Sequence, residues 1–321
     1  MDLKQLKALV TVAETGSVTR AAELLHLVQP AVTRQILSLE RELGVSLFER
    51  TRHGMRPTAA GSSLADRARR ALTELDRARA ELAPAPGMTG LVTVGLLEST
   101  SEVIAEPLVA AIRNEHPGIE LRLLVAYSGH LQQWLDDGDV DVSLLYNLAS
   151  TPSLNVMPLV REKLWAVAPP SDSLTADQPV PLGRMAARPV VLPAPGHALR
   201  TLIDQALAQA HVKVEVAVQT NSMSLQKQLV RSGHGWTILP GAGVAADVAA
   251  GNLSAAPLSD PEVWRSIVVG VPRAALVTPA AQAVAGHLRR LVQLAARQGW
   301  WPSAELEEAP GNLSRARPQA R

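Results

Sequence analysis

The sequence contains no cysteine in 321 residues, so neither a disulfide framework nor thiolate chemistry is open to it. No stretch of about 18 apolar residues is present to span a bilayer. The opening MDLKQLKALV lacks the apolar run and cleavage site of a secretory leader. A soluble, cytoplasmic protein is therefore expected, with no membrane partner. No Gly-x-Ser-x-Gly elbow or P-loop occurs, so the chain offers neither a marked nucleophile nor a phosphate cradle, and no enzyme is expected. The eight histidines are dispersed, without a His-x-x-x-His pair, so neither a metal nor a cofactor is expected. Aromatic residues make up only 3% of the chain and are not interleaved with the N-terminal basic residues, as single-strand stacking would require.

What is present is an uneven distribution of charge. Residues 1–83 carry 13 Lys and Arg against 10 Asp and Glu, whereas residues 84–301 carry 15 against 17. The modest basic excess suits a few placed phosphate contacts better than a nonspecific nucleic-acid coat. It coincides with the segment SVTRAAELLHLVQPAVTRQILSLERELGVSLFERTRHGMRP, which reads as helix, turn, helix and basic hairpin over residues 17–57. That order predicts a winged helix-turn-helix.

A first helix is expected from Leu3 to Glu14, with Leu3, Leu6, Leu9, Val10 and Ala13 on one face and Gly16 ending it. Ser17 suits the N-cap of the next helix, in which Ala21 and Ala22 permit close packing. The following helix, Gln29 to Leu43, is bounded by Pro30 and Gly44. Val32, Ile36, Leu39 and Leu43 form its apolar face, leaving Pro30, Thr33, Arg34, Leu37 and Arg41 opposite. Gln29, Thr33 and Arg34 are the candidates to reach base edges or nearby phosphates, because amide and guanidinium groups make paired hydrogen bonds that distinguish bases. Leu37 suits a thymine methyl. Arg50, Arg52, His53 and Arg56 surround Gly54 in a hairpin suited to phosphate or minor-groove contact. Arg50 is the one best placed to tie the wing to the preceding helix instead.

From Thr58 a long helix is expected, carrying the stripe Leu64, Ala68, Ala71, Leu72, Leu75, Ala78 and Leu82, with Arg67, Arg70, Asp76 and Arg79 off it. Such a stripe needs a partner, and a helix-mediated homodimer would pair two recognition helices on a twofold operator. Packing against its own domain is the alternative.

Pro84, Ala85, Pro86 and Gly87 break this helix, after which short apolar runs alternate with helical stretches, predicting parallel sheets with helices on their faces. Strands are expected at Leu91–Leu96, Ile119–Ala126, Val140–Tyr146, Lys163–Ala168, Pro189–Leu192, Val212–Gln219, Trp236–Leu239 and Ile267–Val271. Two crossings, near Val160–Leu164 and Val263–Ile267, divide this region into lobes with a cleft between them. The organisation expected is a DNA-binding domain at 1–58, a linker or dimerisation helix at 59–84 and an effector domain at 88–301. Lobe I would take 88–162 and 266–301, and lobe II 163–265. A disordered tail would follow at 302–321, poor in large apolar residues.

Ligands in such sheets sit beyond the carboxyl ends of strands, at helix N-termini. Ser99, Thr100 and Ser101 occupy that position after the first strand, although Ser99 or Ser101 would equally cap the helix, and the charge of Glu98 disfavours a nearby anion. Ser128, Tyr146, Asn147, Pro193, Thr220, Asn221 and Ser222 lie at comparable strand ends, as does His197, which reads better as an exposed helix-start histidine. Trp165 and Trp236 suit a core. The string GAGVAADVAAG resembles a dinucleotide fingerprint with Asp260 downstream, but the helix that follows is too short and the match falls late in the chain. Asp136, Asp137, Asp139 and Asp141 around Gly138 lack the closing Glu of a calcium loop and read as a turn.

The string GSVTRAAELLHLVQPAVTRQILSLERELGVSLFERTRHGMRPTAAG resembles the amino-terminal signature of LysR-type transcriptional regulators. PLVAAIRNEHPGIELRLLVAYSGHLQQWLDDGDVDVSLLYN and LVRSGHGWTILP resemble the effector domain of the same family, and the surroundings of GLLEST and LLYN are similar to its nitrogen assimilation control subgroup. The resemblance implies an α/β fold: a winged helix-turn-helix and linker helix joined to a two-lobed, periplasmic-binding-protein-like effector domain. It further implies a small-molecule coinducer, dimers or tetramers on an interrupted palindrome near a promoter, and RNA polymerase as a partner. DNA contacts are carried over to Gln29, Pro30, Thr33, Arg34 and the wing arginines Arg50, Arg52 and Arg56. Val28 and Ala60 depart from the family's helix-start residues, so helix ends are expected to be weaker by about 1 kcal/mol per lost cap. A cytoplasmic small-molecule binding protein and a cleft enzyme without DNA function are the competing readings.

Overall fold

A computed structural model describes residues 1–52, 54–82, 88–273 and 277–307, apart from the side chains of residues 73, 76, 77 and 79–82. Contacts divide the chain into two units, Met1–Pro86 and Gly87–Arg321.

The first unit contains α1 (Leu3–Thr15), α2 (Val18–Leu24), α3 (Gln29–Leu43), β1 (Phe48–Thr51), β2 (Gly54–Pro57) and α4 (Ala59–Leu82). Asp2 and Gln5 form a capping box at the start of α1, Ser17 accepts from the Arg20 amide, and Gly16 and Gly44 end their helices in the left-handed conformation. Val28 gives α3 no side-chain cap, as its identity predicts. At α4, by contrast, the Thr58 hydroxyl accepts from the Gly61 amide at 3.0 Å, so Ala60 costs this helix nothing at its start. Leu9, Val32, Ile36, Leu39, Leu47 and Phe48 form a core that Ala65 and Ala68 of α4 complete. Gly61 is required by that packing, because a Cβ there would stand 1.9 Å from the Leu47 carbonyl oxygen.

The second unit contains β3 (Gly90–Leu97), α5 (Glu98–Glu115), β4 (Ile119–Ala126), α6 (Ser128–Asp137), β5 (Val142–Tyr146), β6 (Leu154–Ala168), β7 (Val180–Pro181), β8 (Val190–Leu192), α7 (Ala198–Gln209), β9 (Val216–Gln219), α8 (Met223–Arg231), β10 (Thr237–Pro240), α9 (Ala245–Ala249), β11 (Ser254–Ser259), β12 (Trp264–Pro272), α10 (Pro279–Gln298) and β13 (Ala304–Leu306). The main sheet runs β4-β3-β5-β12-β6-β11-β7, with β10 and β13 also pairing with β6. It is mixed rather than parallel: β3 pairs in parallel with β4 and β5, and β11 with β7, whereas β12, β10, β11 and β13 run antiparallel to β6 and β12 antiparallel to β5. The expectation of parallel sheets misses this because alternating apolar runs do not report strand direction.

Two apolar cores flank the crossing strands. One gathers Val92, Ile104, Leu144, Val160, Ile267 and Leu288, the other Leu164, Trp165, Ile203, Trp236, Leu239 and Val263. The β6–β12 register slips between Ile267 and Val268, so a bulge sits within the first core, beside the strands' passage to the second.

The segment assigned to a disordered tail from residue 302 instead continues in order as far as residue 307, and residues 308–321 lie outside the described ones. Ala304–Leu306 pair with Glu162, Arg161 and Val160, and Ser303 is buried. Small and polar residues order here through main-chain pairing, which composition does not reveal.

Candidate DNA-binding surface and effector cavity

On α3 the apolar residues Val32, Ile36 and Leu39 are buried, while Gln29, Pro30, Thr33, Arg34, Leu37 and Arg41 are exposed. Leu43 is also exposed, so the apolar face ends at Leu39. The Thr33 hydroxyl donates to the Gln29 carbonyl at 3.1 Å and the Arg41 Nε to the Leu37 carbonyl at 3.1 Å, fixing both side chains along the helix. Arg50, Arg52 and Arg56 are exposed on the hairpin; His53 lies outside the described residues. A different residue from Arg50 ties this hairpin to α3: Glu40, whose carboxylate accepts from the Leu47 and Phe48 amides at 2.7 and 3.2 Å. Gly54 turns the hairpin at φ +122°, and the Met55 amide donates to the Gly16 carbonyl at 2.8 Å, anchoring the hairpin to the α1–α2 turn.

The α4 stripe divides along its length. Ala68 is buried, and Leu64 and Leu72 pack partly against the unit's own core. Ala71, Leu75 and Ala78 are exposed, and the side chain of Leu82 lies outside the described residues.

In the second unit a small cavity of about 50 Å³ is lined by Glu98 and Ser99 at the start of α5, Ser128, Tyr146, Pro193, His197, Leu199, Asn221, Met223, Leu239 and Arg265. Five predicted effector residues, Ser99, Ser128, Tyr146, Pro193 and Asn221, thus come together there. Thr100, Ser101, Asn147 and Thr220 do not line it. The Thr100 and Ser101 hydroxyls turn back onto the Leu97 and Glu98 carbonyls at 3.1 and 2.8 Å, a helix-start role. Asn147 accepts from the Ser266 amide at 2.8 Å, and the Thr220 hydroxyl accepts from the Ser222 amide at 3.3 Å. Ser222 itself caps α8.

The charged centre of this region is Arg265, which together with Glu162 escaped the sequence reading. Glu162 is wholly buried; its Oε1 accepts from the Ala242 amide at 3.1 Å, the Trp301 indole at 2.8 Å and the Ser303 hydroxyl at 2.8 Å. Its Oε2 accepts from Arg265 Nε at 2.8 Å, and Arg265 Nη2 donates to Ser99 Oγ at 2.6 Å. A buried, fully hydrogen-bonded pair of this kind leaves no mark in a sequence, because its partners are 103 residues apart. Alternation places both positions inward on their strands, which is the only local signal.

Glu98 confirms the concern its charge raises, in a specific way. Its carboxylate accepts from the Met223 and Ser224 amides at 3.1 and 3.2 Å, so the α8 N-terminus already holds an internal anion. Lys227 pairs with Glu102 and Asp247, and those carboxylates hold its pKa above the usual lysine value despite the opposing effect of burial. Tyr127 donates to the Asn221 carbonyl. His197 accepts from the Leu199 amide at Nδ1, and burial foremost, with the nearby Arg265 and His130, depresses its pKa. It is a helix-start histidine, the N-cap of α7, but half-buried in the cavity wall rather than exposed.

Among the described residues, one group brings three metal-ligating side chains together: Glu115, His116 and His287, with donor atoms within 4.8 Å of one another. Arg290 lies 3.0 Å from the His287 ring and 4.0 Å from Glu115, placing a cation where a metal would stand. The Gly-x-Gly string is a packing device: a Cβ at Gly241 would meet Ser303 at 2.5 Å, and one at Gly243 would meet Met223 at 2.7 Å. The aspartates around Gly138 form a turn in which Asp141 accepts from the Thr93 amide at 2.7 Å.

Two family profiles match this chain: "Bacterial regulatory helix-turn-helix protein, lysR family" over residues 3–62 and "LysR substrate binding domain" over residues 85–293. The chain belongs to the LysR family. It is a DNA-binding transcriptional regulator with an effector-binding domain, and not of an enzyme family. This LysR regulator is 30% identical over 303 residues to HTH-type transcriptional regulator BbuR of Bordetella bronchiseptica, covering 94% of this chain and 93% of that protein. It is also 30% identical over 298 residues to the nitrogen assimilation regulatory protein nac of Klebsiella aerogenes, covering 91% and 95%. In fold it is similar to a full-length OxyR variant from Pseudomonas aeruginosa, with TM-score 0.70, 22% identity and coverage of 96% and 99%. It also resembles full-length CbnR complexed with its target DNA, with TM-score 0.69, 24% identity and coverage of 91% and 100%. At these identities the two structures speak for the fold alone. No helix among the described residues is long and apolar enough to cross a membrane.

Proposed function

We propose that this LysR regulator binds promoter DNA in the cytoplasm through α3 and the β1–β2 hairpin, and that a small molecule in the Tyr146–Arg265 cavity modulates that binding. The exposed polar face of α3 carries the reading. Gln29, Thr33 and Arg34 reach base edges or adjacent phosphates, Pro30 packs beside them, and Arg50, Arg52 and Arg56 engage the phosphate backbone and minor groove. The exposed Ala71, Leu75 and Ala78 on α4 support a homodimer joined through that helix, which brings two recognition helices to a twofold site; a homotetramer is two such dimers. Ser99, Ser128, Tyr146, Pro193 and Asn221 form the effector wall, and the effector's differential affinity for two lobe arrangements supplies about 1–3 kcal/mol of coupling to DNA and polymerase.

The test is a footprint of the full chain on its own promoter region, repeated with a metabolite panel. Defined protection that changes extent with a metabolite is the expected result. Absence of protection at low ionic strength would leave a cytoplasmic binding protein or cleft enzyme as the better reading.

A further inference from the structure

The cavity has a surplus of one kind of polar group. Tyr146 is 6% exposed, and its buried hydroxyl, which lies against the Leu199 backbone, has no partner for its proton among the described residues. Leaving a buried donor unpaired is unfavourable unless a ligand meets it. Arg265 is 3% exposed; its Nε and Nη2 are engaged by Glu162 and Ser99, and its Nη1 makes no hydrogen bond among the described residues. Its guanidinium carbon lies 5.0 Å from the centre of the Tyr146 ring. His197 Nδ1 accepts from the Leu199 amide, so the neutral ring carries its proton on Nε2. Ser99 Oγ accepts from Arg265, which leaves its own proton to donate. Tyr146, Arg265, His197 and Ser99 all line one cavity, and each has an unused donor.

Two of the acceptors in the same wall are already engaged. Glu98 is committed to the two α8 amides, and the Asn221 side-chain oxygen accepts from the Ala194 amide at 3.1 Å. The field divides in the same way. Burial above all depresses His197, with Arg265 and His130 adding to it, and Arg265 acts on Tyr146 against the effect of burial; the Glu98 charge is felt instead by Tyr127, whose pKa burial and that charge raise. The Tyr146 end is thus donor-rich, and Leu97, Leu199, Met223 and Leu239 supply apolar wall.

Resting on the reading of this cavity as the effector site, we infer that its ligand is a short-chain carboxylate, whose oxygens accept from Tyr146 Oη and Arg265 Nη1. The cavity's 50 Å³ holds roughly four water-sized centres, room for a carboxylate on a two- or three-carbon body.

The test is thermal shift and calorimetry of the full chain with acetate, propionate and butyrate, set against propionamide and butyramide of matching shape. A Tyr146→Phe variant serves as control; it removes only a hydroxyl whose proton has no partner in the protein and keeps the buried ring, and its urea unfolding is measured alongside. Carboxylates are expected to raise the melting temperature of the parent while amides do not, and Tyr146→Phe to weaken carboxylate binding about tenfold, the value of a hydrogen bond to a charged group. Equal binding of acids and amides, or equal binding to both proteins, overturns the inference. If no acid binds but other metabolites alter the promoter footprint, the carboxylate class falls and the cavity keeps its effector role. If no metabolite alters the footprint, both fall.

Discussion

Glu162 and Arg265 face each other across the two strands that pass between the apolar cores, with Oε2 2.7 Å from Nη2 and both side chains almost completely buried. The pair joins the C-terminal Trp301 and Ser303, which bond the carboxylate, to Ser99 at the start of α5, which bonds the guanidinium. An ordered C-terminal segment and the cavity wall are thus two ends of one polar network.

Removing one member of that pair strands the other charge. Glu162→Ala is expected to destabilise the second unit by about 3–5 kcal/mol in urea unfolding, whereas Glu162→Leu combined with Arg265→Met recovers most of the loss. A single variant no less stable than the parent would show that the pair does not hold the crossing together.

Arg34→Ala is expected to weaken operator binding by about 1–3 kcal/mol and relax sequence preference, because a side chain reading a base adds discrimination. Arg52→Ala is expected instead to lower the dependence of affinity on salt with little change in preference. Unaltered operator affinity in the Arg34 variant would remove that residue from the interface.

The Thr58 hydroxyl caps α4 and Gly61 passes against Leu47. Thr58→Ala is expected to cost about 1 kcal/mol of stability in the first unit. Gly61→Ala costs more, since its Cβ would overlap backbone that cannot swing aside. Equal melting temperatures for the two variants would contradict this ordering.

His197 and His287 both sit below the ordinary histidine pKa of 6.5, by burial first and then by the neighbouring Arg265 and Arg290. The unfolded chain therefore takes up protons that the folded chain refuses. Stability is expected to be fully present above 6.5 and to fall as pH drops from there towards the folded values. Denaturation midpoints between pH 7.5 and about 5.5 check this, with His287→Gln flattening the slope; an unchanged slope would assign it to other groups.

Thr100 is fully buried but spends its hydroxyl on the Leu97 carbonyl, outside the cavity wall. Thr100→Val is expected to lower stability by about 1 kcal/mol while leaving ligand affinity unchanged. Deletion of residues 308–321 is expected to leave DNA binding intact. Extending the cut to 301 is expected to expose the Glu162 carboxylate and destabilise the sensor.

The helix-turn-helix was legible because its signals are local: Pro30 and Gly44 bound α3, helical spacing sorts Val32 and Ile36 from Thr33 and Arg34, and Gly54 marks the hairpin. The strand ends at Ser99, Ser128, Tyr146, Pro193 and Asn221 were readable for the same reason, since each follows a short apolar run. Tertiary structure alone decided that Thr100 and Asn147 serve the fold, that Glu98 occupies the α8 N-terminus, and that Glu162, Arg265, Trp301 and Ser303 meet. Periodicity fixes which face of an element is apolar, but strand direction and the partners of a buried charge depend on contacts between residues far apart in the chain, and no local pattern encodes those.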